Sequence, residues 1–185
     1  SLWAWGNNQW GQLGDGTTTT RTTPTQILTG VVNLTAGGGH TLALKTDGSL
    51  WAWGSNASGQ LGDGTTTDRY TPTQILTGVV NLAAGSSYSL ALKTDGSLWA
   101  WGYNRFGGLG DGTTTNRATP TPVLNGVVAM AGGGSHTLAL KTDGSLWAWG
   151  SNSDGQLGDG TTANRLTPTP VLTGVAALAL GDGHT

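Results

Sequence analysis

The chain has 185 residues, with 8 basic and 10 acidic side chains and a net charge of −2. This balance gives no electrostatic reason to expect a nucleic-acid partner or an anionic membrane surface, and no apolar run approaches the ~20 residues of a membrane-spanning helix. Cysteine is absent, which removes disulfides, thiolate metal sites and thiol nucleophiles.

The chain opens on Ser1-Leu2-Trp3-Ala4-Trp5-Gly6, and the same six residues return at Ser49, Ser97 and Ser145. The period is 48 residues, which divides one domain, 1–185, into repeats 1–48, 49–96, 97–144 and 145–185. The first three repeats agree at 31 of 48 positions, so the repeat is the unit from which the fold must be built. Within each repeat, Leu-Gly-Asp-Gly-Thr-Thr follows at Leu13, Leu61, Leu109 and Leu157. Its glycines and Asp mark a turn rich in poor helix formers. Two short strands are expected next, around Thr25–Leu28 and Val31–Leu34, after Pro24 and its copies Pro72, Pro120 and Pro168. A third is expected at Thr41–Lys45. Thr46-Asp47-Gly48 then turns the chain into Ser49–Trp53, because Asp-Gly between two apolar segments signals a hairpin. Leu50 and Ala52 alternate with Trp51 and Trp53, so both faces of that strand are apolar. A sheet with one wet face alternates apolar and polar instead. No segment repeats apolar residues at helical spacing over three turns, and every acidic residue is Asp, a turn former, with no Glu. The expected fold is therefore all-β: a β-propeller of four 48-residue, four-stranded blades, the last incomplete.

The run from His40 through Leu42-Ala43-Leu44, Asp47-Gly48, Leu50-Trp51, Trp53-Gly54, Asn56 and Gly59-Gln60-Leu61-Gly62 to Gly64 resembles the regulator of chromosome condensation repeat. The resemblance covers the whole chain, once per 48 residues, and is nearest to the compact, regular bacterial versions. It implies a propeller, commonly of seven four-stranded blades, in a family that includes the exchange factor for the GTPase Ran and a β-lactamase inhibitor protein. The exchange factor works through a wedge-like insertion and a basic nucleosome-facing surface. No repeat here carries an insertion, and the net charge leaves no room for such a surface, so exchange activity is not carried over.

Four blades in an open row would leave two Trp-rich faces in water, a larger apolar patch than soluble monomers carry. Closure of four blades, extension by further blades, or pairing of two chains would each cover them. Eight blades depart least from the family's seven-bladed geometry, so the expectation is a homodimer completing an eight-bladed ring.

The polar residues point to blade construction. His40, His136 and His184 share one repeat position with Tyr88 and lie a blade apart. They are expected to bond to backbone at a turn and to hold no metal, which needs converging ligands. Asp15, Asp63, Asp111 and Asp159 lack the spaced acidic ligands of a calcium loop. The Gly-rich segment lacks the Lys and the helix of a phosphate loop. No cofactor is expected. Lys45, Lys93 and Lys141 are expected with Arg21, Arg69, Arg117 and Arg165 on a solvated, mixed-charge surface. Because nucleophiles with distinctive partners are missing, the chain is expected to be no enzyme.

Repeats also reveal where they differ. The residues flanking the fixed Asn after Trp-Gly include Trp10 in the first repeat and Tyr103, Arg105 and Phe106 in the third. Tyr70 stands where other repeats have Thr22, Ala118 and Leu166. Trp, Tyr and Arg are the residue types of interaction hot spots, so Trp10, Tyr70, Tyr103, Arg105 and Phe106 are the candidate partner-binding residues. The expected function is a protein-interaction or scaffold module with an unidentified protein partner. The alternatives are a structural or surface-display domain without a dedicated ligand, and a carbohydrate-binding propeller.

Overall fold

Residues 1–185 are described by a computed structural model. It contains fourteen strands and no helix. In chain order these are β1 (Leu2–Gly6), β2 (Arg21–Leu28), β3 (Val31–Ala36), β4 (His40–Lys45), β5 (Leu50–Gly54), β6 (Arg69–Leu76), β7 (Val79–Ala84), β8 (Tyr88–Lys93), β9 (Leu98–Gly102), β10 (Arg117–Leu124), β11 (Val127–Gly132), β12 (His136–Lys141), β13 (Leu146–Gly150) and β14 (Arg165–Leu172). They form three four-stranded antiparallel sheets, β3–β6, β7–β10 and β11–β14, and one two-stranded sheet, β1–β2. The four strands expected per repeat are present in the first three repeats and two in the fourth, but sheet and repeat are out of phase. Each repeat supplies the outer pair of one blade and the inner pair of the next.

The Asp-Gly hairpin closes as its sequence requires. Gly48 has φ +76°, a conformation open to Gly at no steric cost, and β4 and β5 pair in continuous register from His40 opposite Gly54 to Leu44 opposite Leu50. The prolines lie in β2, β6, β10 and β14. These are the outer strands of their sheets, where a missing N–H disturbs no ladder and discourages edge-to-edge pairing.

Blades pack face to face through the alternation of the Leu-Trp-Ala-Trp strand. Leu50 and Ala52 look towards the following blade, joining Leu42, Leu44, Leu61, Leu82, Ala91 and Trp101 in one core. Trp53 looks back to the two-stranded sheet, where it packs with Leu2 and Ala43. The next seam repeats the arrangement around Leu98, Ala100, Leu109, Met130 and Trp149. Each of these tryptophans is fully buried and donates its indole N–H to a backbone carbonyl of the preceding unit. Trp53 bonds Gln12 O at 2.9 Å, Trp101 bonds Gln60 O at 2.9 Å and Trp149 bonds Gly108 O at 3.0 Å. The ring needs a glycine beneath it: a Cβ on Gly62 would lie 2.6 Å from Trp101 Nε1, and Gly14 and Gly110 stand in the same relation to Trp53 and Trp149.

After β14 the chain from Val175 onward forms no strand, yet its contacts follow those of an inner strand. Val175 N–H reaches Gly144 O as Val127 N–H reaches Gly96 O. Val175, Leu178 and Leu180 cover the core around Leu138, Leu146, Ala148 and Leu157.

Candidate interaction surface

Strand direction sorts the variable residues to one end of the molecule. The β1–β2, β5–β6, β9–β10 and β13–β14 loops leave the sheets at the same end as the β3–β4, β7–β8 and β11–β12 turns. The Asp-Gly hairpins lie at the opposite end.

Each long loop is built around a buried asparagine. Asn104 donates its amide to Asp111 Oδ1, Thr113 O and Thr115 O, and its Oδ1 accepts from Leu109 N–H. Asn8, Asn56 and Asn152 repeat the set. The Asp copies then accept from the backbone and hydroxyl of Thr17, Thr65, Thr113 and Thr161, and each is ion-paired to Arg21, Arg69, Arg117 or Arg165. Burial pushes the Asp15 carboxyl up, but the bonds from Thr17, Arg21 and Asn8 outweigh it and hold the pKa at about 2. The expected turn role of these aspartates is what the geometry shows.

One expectation, that of the histidines, is corrected here. The arginines and lysines do not share an end of the molecule. Arg21 and its copies open β2, β6, β10 and β14 at the long-loop end, while Lys45, Lys93 and Lys141 close β4, β8 and β12 at the hairpin end. There the lysine ammonium groups lie 4.9–5.1 Å from the rings of Trp51, Trp99 and Trp147. Nor do the histidine rings bond to backbone. His40 Nε2 lies 3.0 Å from Ser89 Oγ across the blade seam, while Nδ1 of His40 and both ring nitrogens of His136 have no partner. It is Tyr88, in the same repeat position, whose hydroxyl reaches a backbone carbonyl, that of His136, while accepting from Thr137. Desolvation lowers the His40 pKa to about 4. Burial, and then the neighbouring His184, lower that of His136. No group of three His, Cys, Asp or Glu side chains is arranged to hold a metal ion. A cavity of about 300 Å3 lies among the inner turns, lined mainly by Gly37, Gly38, Gly85, Ser86 and Gly133, with Asp182 its one charged group.

Against this rigid frame the five candidate residues fall into two groups at the same end. Trp10, 47% exposed, stands on the β1–β2 loop with its ring beside Gly39 of the next blade. Tyr70, at the start of β6, packs on Gly11, where a Cβ would lie 2.3 Å from its ring. Tyr103 and Phe106 meet edge to face on the β9–β10 loop, with ring centroids 6.3 Å apart, and the Arg105 guanidinium lies 5.8 Å from the Phe106 ring. The structure thus brings Tyr103, Arg105 and Phe106 together and seats Trp10 and Tyr70 around Gly11. The intervening β5–β6 loop carries Ser55, Ala57 and Ser58 and adds no aromatic side chain.

The family model of the RCC1-like domain matches residues 1–185. The chain is a member of the RCC1-like domain family. No curated protein sequence matches it. Among solved structures, Prp20p of Saccharomyces cerevisiae is 26% identical with a TM-score of 0.79, the match covering 93% of this chain and 46% of Prp20p. That structure is described together with binding of Prp20p to Gsp1p and histones. Yeast RCC1 (Prp20) bound by Kap60 matches at 24% identity and TM-score 0.79, over 93% of this chain and 44% of the other. Human WBSCR16 matches at 23% identity and TM-score 0.57, over 92% and 62%. This RCC1-like domain therefore spans somewhat less than half the length of the yeast proteins it matches.

Proposed function

We propose that this RCC1-like domain is a non-enzymatic protein-interaction or scaffold module that presents its long-loop end to a protein partner, and that a second copy of the chain completes its open ends. The observation that carries the reading is the separation of fixed from variable residues. The Asn–Asp–Thr–Arg cage is repeated in all four loops, while exposed Trp10, Tyr70, Arg105 and Phe106 and the partly exposed Tyr103 stand on it without repetition. Rigid aromatic side chains on a pre-formed loop lose little conformational freedom on binding, which favours affinity. A sugar-binding propeller would repeat its stacking aromatics in each blade, and Trp10 has no copy.

Prp20p binding to Gsp1p and histones supports protein partnership as the function of the fold and supplies the first probes. Binding is measured by calorimetry with purified histones, a Gsp1p-type GTPase, or a partner recovered by affinity capture and then purified. The variant carrying Trp10→Ser, Tyr103→Ser and Phe106→Ser should keep the far-ultraviolet spectrum of the parent and bind at least about 30-fold more weakly, the loss of at least one hot spot. Unchanged affinity would remove the loop end as the binding surface.

A further inference from the structure

The third long loop departs from its copies at one place, and there it offers an unused donor beside an unused charge. Each long loop begins with a turn whose central pair is Gln9–Trp10, Ala57–Ser58, Arg105–Phe106 or Ser153–Asp154. A backbone bond closes it, as from Gly107 N–H to Asn104 O at 2.9 Å. In three of the four turns a glutamine side chain then caps the second central residue. Gln12 Oε1 accepts from Trp10 N–H at 2.9 Å, Gln60 Oε1 from Ser58 N–H at 2.9 Å, and Gln156 Oε1 from Asp154 N–H at 3.0 Å. The third repeat has Gly108 where the others have Gln, and Phe106 N–H has no acceptor in the chain. The same turn carries the one arginine without an ion-pair partner. Arg21, Arg69, Arg117 and Arg165 are each held by an aspartate, whereas exposed Arg105 lies over the Phe106 ring. The β5–β6 and β13–β14 loops flank this one on either side, so neither feature depends on where the chain begins or ends.

We infer that the turn Asn104–Gly107 binds an acidic side chain, Asp or Glu, on an exposed segment of the protein partner. This rests on the long-loop reading above and names the chemistry of what that end grips. The three capped turns show what the N–H takes: a side-chain oxygen, 2.9–3.0 Å away. In the third loop that oxygen has to come from another molecule, and the guanidinium next to it selects one that carries negative charge. A carboxylate places one oxygen on Phe106 N–H and the other on Arg105, and both bonds are charge-assisted. One guanidinium matches one carboxylate. A phosphate, with a charge of about −1.5 to −2, would stay under-compensated, because the other arginines of this end are already bound to aspartates. Tyr103 and Phe106, edge to face at 6.3 Å, add an apolar flank for the residue beside the acid. No cavity encloses the turn, so the segment crosses it and does not end in it, which selects a side chain over a chain terminus. The turn is also fixed before anything binds, by Tyr103 N–H on Ser87 O at 3.0 Å and by the buried Asn104 amide, so little conformational freedom is lost on binding.

The test follows the Phe106 and Gly107 amide signals of the isotope-labelled chain by nuclear magnetic resonance as a peptide is added. The probe is Gly-Leu-Glu-Leu-Gly, blocked at both ends. It should move both signals to saturation, with the Phe106 N–H shifting downfield as it gains an acceptor. The same peptide with Gln for Glu should bind at least about tenfold more weakly, the loss of a charge-assisted bond. Arg105→Gln in the protein should weaken the Glu peptide by a similar factor. Gly108→Gln supplies the oxygen that the other loops carry, and should weaken it too by occupying Phe106 N–H in advance. Gly108 is not at positive φ, and its copy Gln60 is accommodated in the same turn; circular dichroism of both variants checks folding. A Glu peptide that leaves Phe106 unmoved, or that binds both variants as tightly as the parent, overturns the site. Tighter binding of a phosphoserine form overturns the choice of carboxylate. Tighter binding of the Gln form with a free carboxyl terminus overturns the choice of a side chain. None of these results touches Trp10 and Tyr70, so the long-loop reading itself is decided separately, by Trp10→Ser assayed against a purified partner.

Discussion

Replacing Trp101 by Ala should be among the most damaging single changes in the molecule, while the same change at Trp5, in an identical hexapeptide, should cost the individual chain almost nothing. Trp101 is fully buried between the first and second complete blades. Truncating such a side chain removes its transfer free energy and leaves a cavity, about 3–5 kcal/mol together. Loss of the indole bond adds less than a full desolvation penalty, because Gln60 O keeps the Ser89 hydroxyl as a donor at 2.7 Å. A loss of about 4 kcal/mol lowers the melting temperature by roughly 10 °C in a chain of this size. The lesion lies at a seam between units that contact only their neighbours, so the transition should also broaden or split, since stability here is a sum of unit and interface contributions. Trp5→Ala, at a half-exposed position, should stay within about 0.5 kcal/mol of the parent once the protein is dilute enough to be single chains. Urea denaturation followed by far-ultraviolet circular dichroism, at two protein concentrations, separates the cases. Equal losses for the two variants in dilute solution would refute the claim that the seams, and not the Leu-Trp-Ala-Trp motif itself, hold the fold together.

Other residues give sharper tests of individual interactions. The folded pKa of His40, about 4, lies below the unfolded value of about 6.5, so between these pH values the unfolded chain binds more protons. The His40 contribution to stability should therefore be intact above pH 6.5, fall as pH drops towards 4, and level off below it, a span of about 3 kcal/mol. His40→Gln should flatten that part of a pH–stability curve. Asn104→Ala should cost about 2 kcal/mol in urea melts, because it strands the buried Leu109 N–H and removes the donor to the carbonyls of Thr113 and Thr115. Gly62→Ala should destabilise by at least about 2 kcal/mol, from the strain of φ +82° and the displacement of Trp101. Gly158→Ala, with a similar φ and nothing within 4 Å of the added Cβ, should carry the strain alone, and comparing the two melts isolates the ring contact.

What the sequence made legible was whatever a single strand or turn decides. Leu50 and Ala52 face one neighbour and Trp51 and Trp53 the other because side chains alternate along a strand, and Asp47-Gly48 turns because Gly48 accepts positive φ. What it hid was anything set by residues a blade apart. The period has no origin of its own, so repeats 1–48 and 49–96 could not show that sheets run from Val31 to Leu76 and from Val79 to Leu124. Tyr88 looked like an irregular substitution for His until its hydroxyl was seen on the carbonyl of His136, 48 residues on. The separation of Arg21 from Lys45 was within reach, since antiparallel strands alternate their ends and one residue opens its strand while the other closes it. Asn8 and its copies carried a signal as well: an amide fixed in all four loops, amid neighbours that change, had to be bonding the loop itself.

The same division is the reason for proposing the long-loop end as the recognition surface. At the hairpin end the turns Thr46–Gly48, Thr94–Gly96 and Thr142–Gly144 are identical, and each Lys is folded over its own Trp ring, so any ligand there would meet three equal sites and little free surface. At the other end each loop is anchored by its Asn at one point and by its Asp–Arg pair at another. The residues between are free to change without loosening the blade. Trp10 and the Tyr103–Arg105–Phe106 cluster exploit that freedom differently, one at the seam beside the open end and the other two blades away. A partner gripping Trp10 and Tyr70 should lose affinity with Trp10→Ser and ignore Phe106→Ser, and a partner gripping the Tyr103 cluster should do the reverse, each read by calorimetry. Loss from both changes would show one partner spanning the two groups, and loss from neither would remove the long-loop end as its surface.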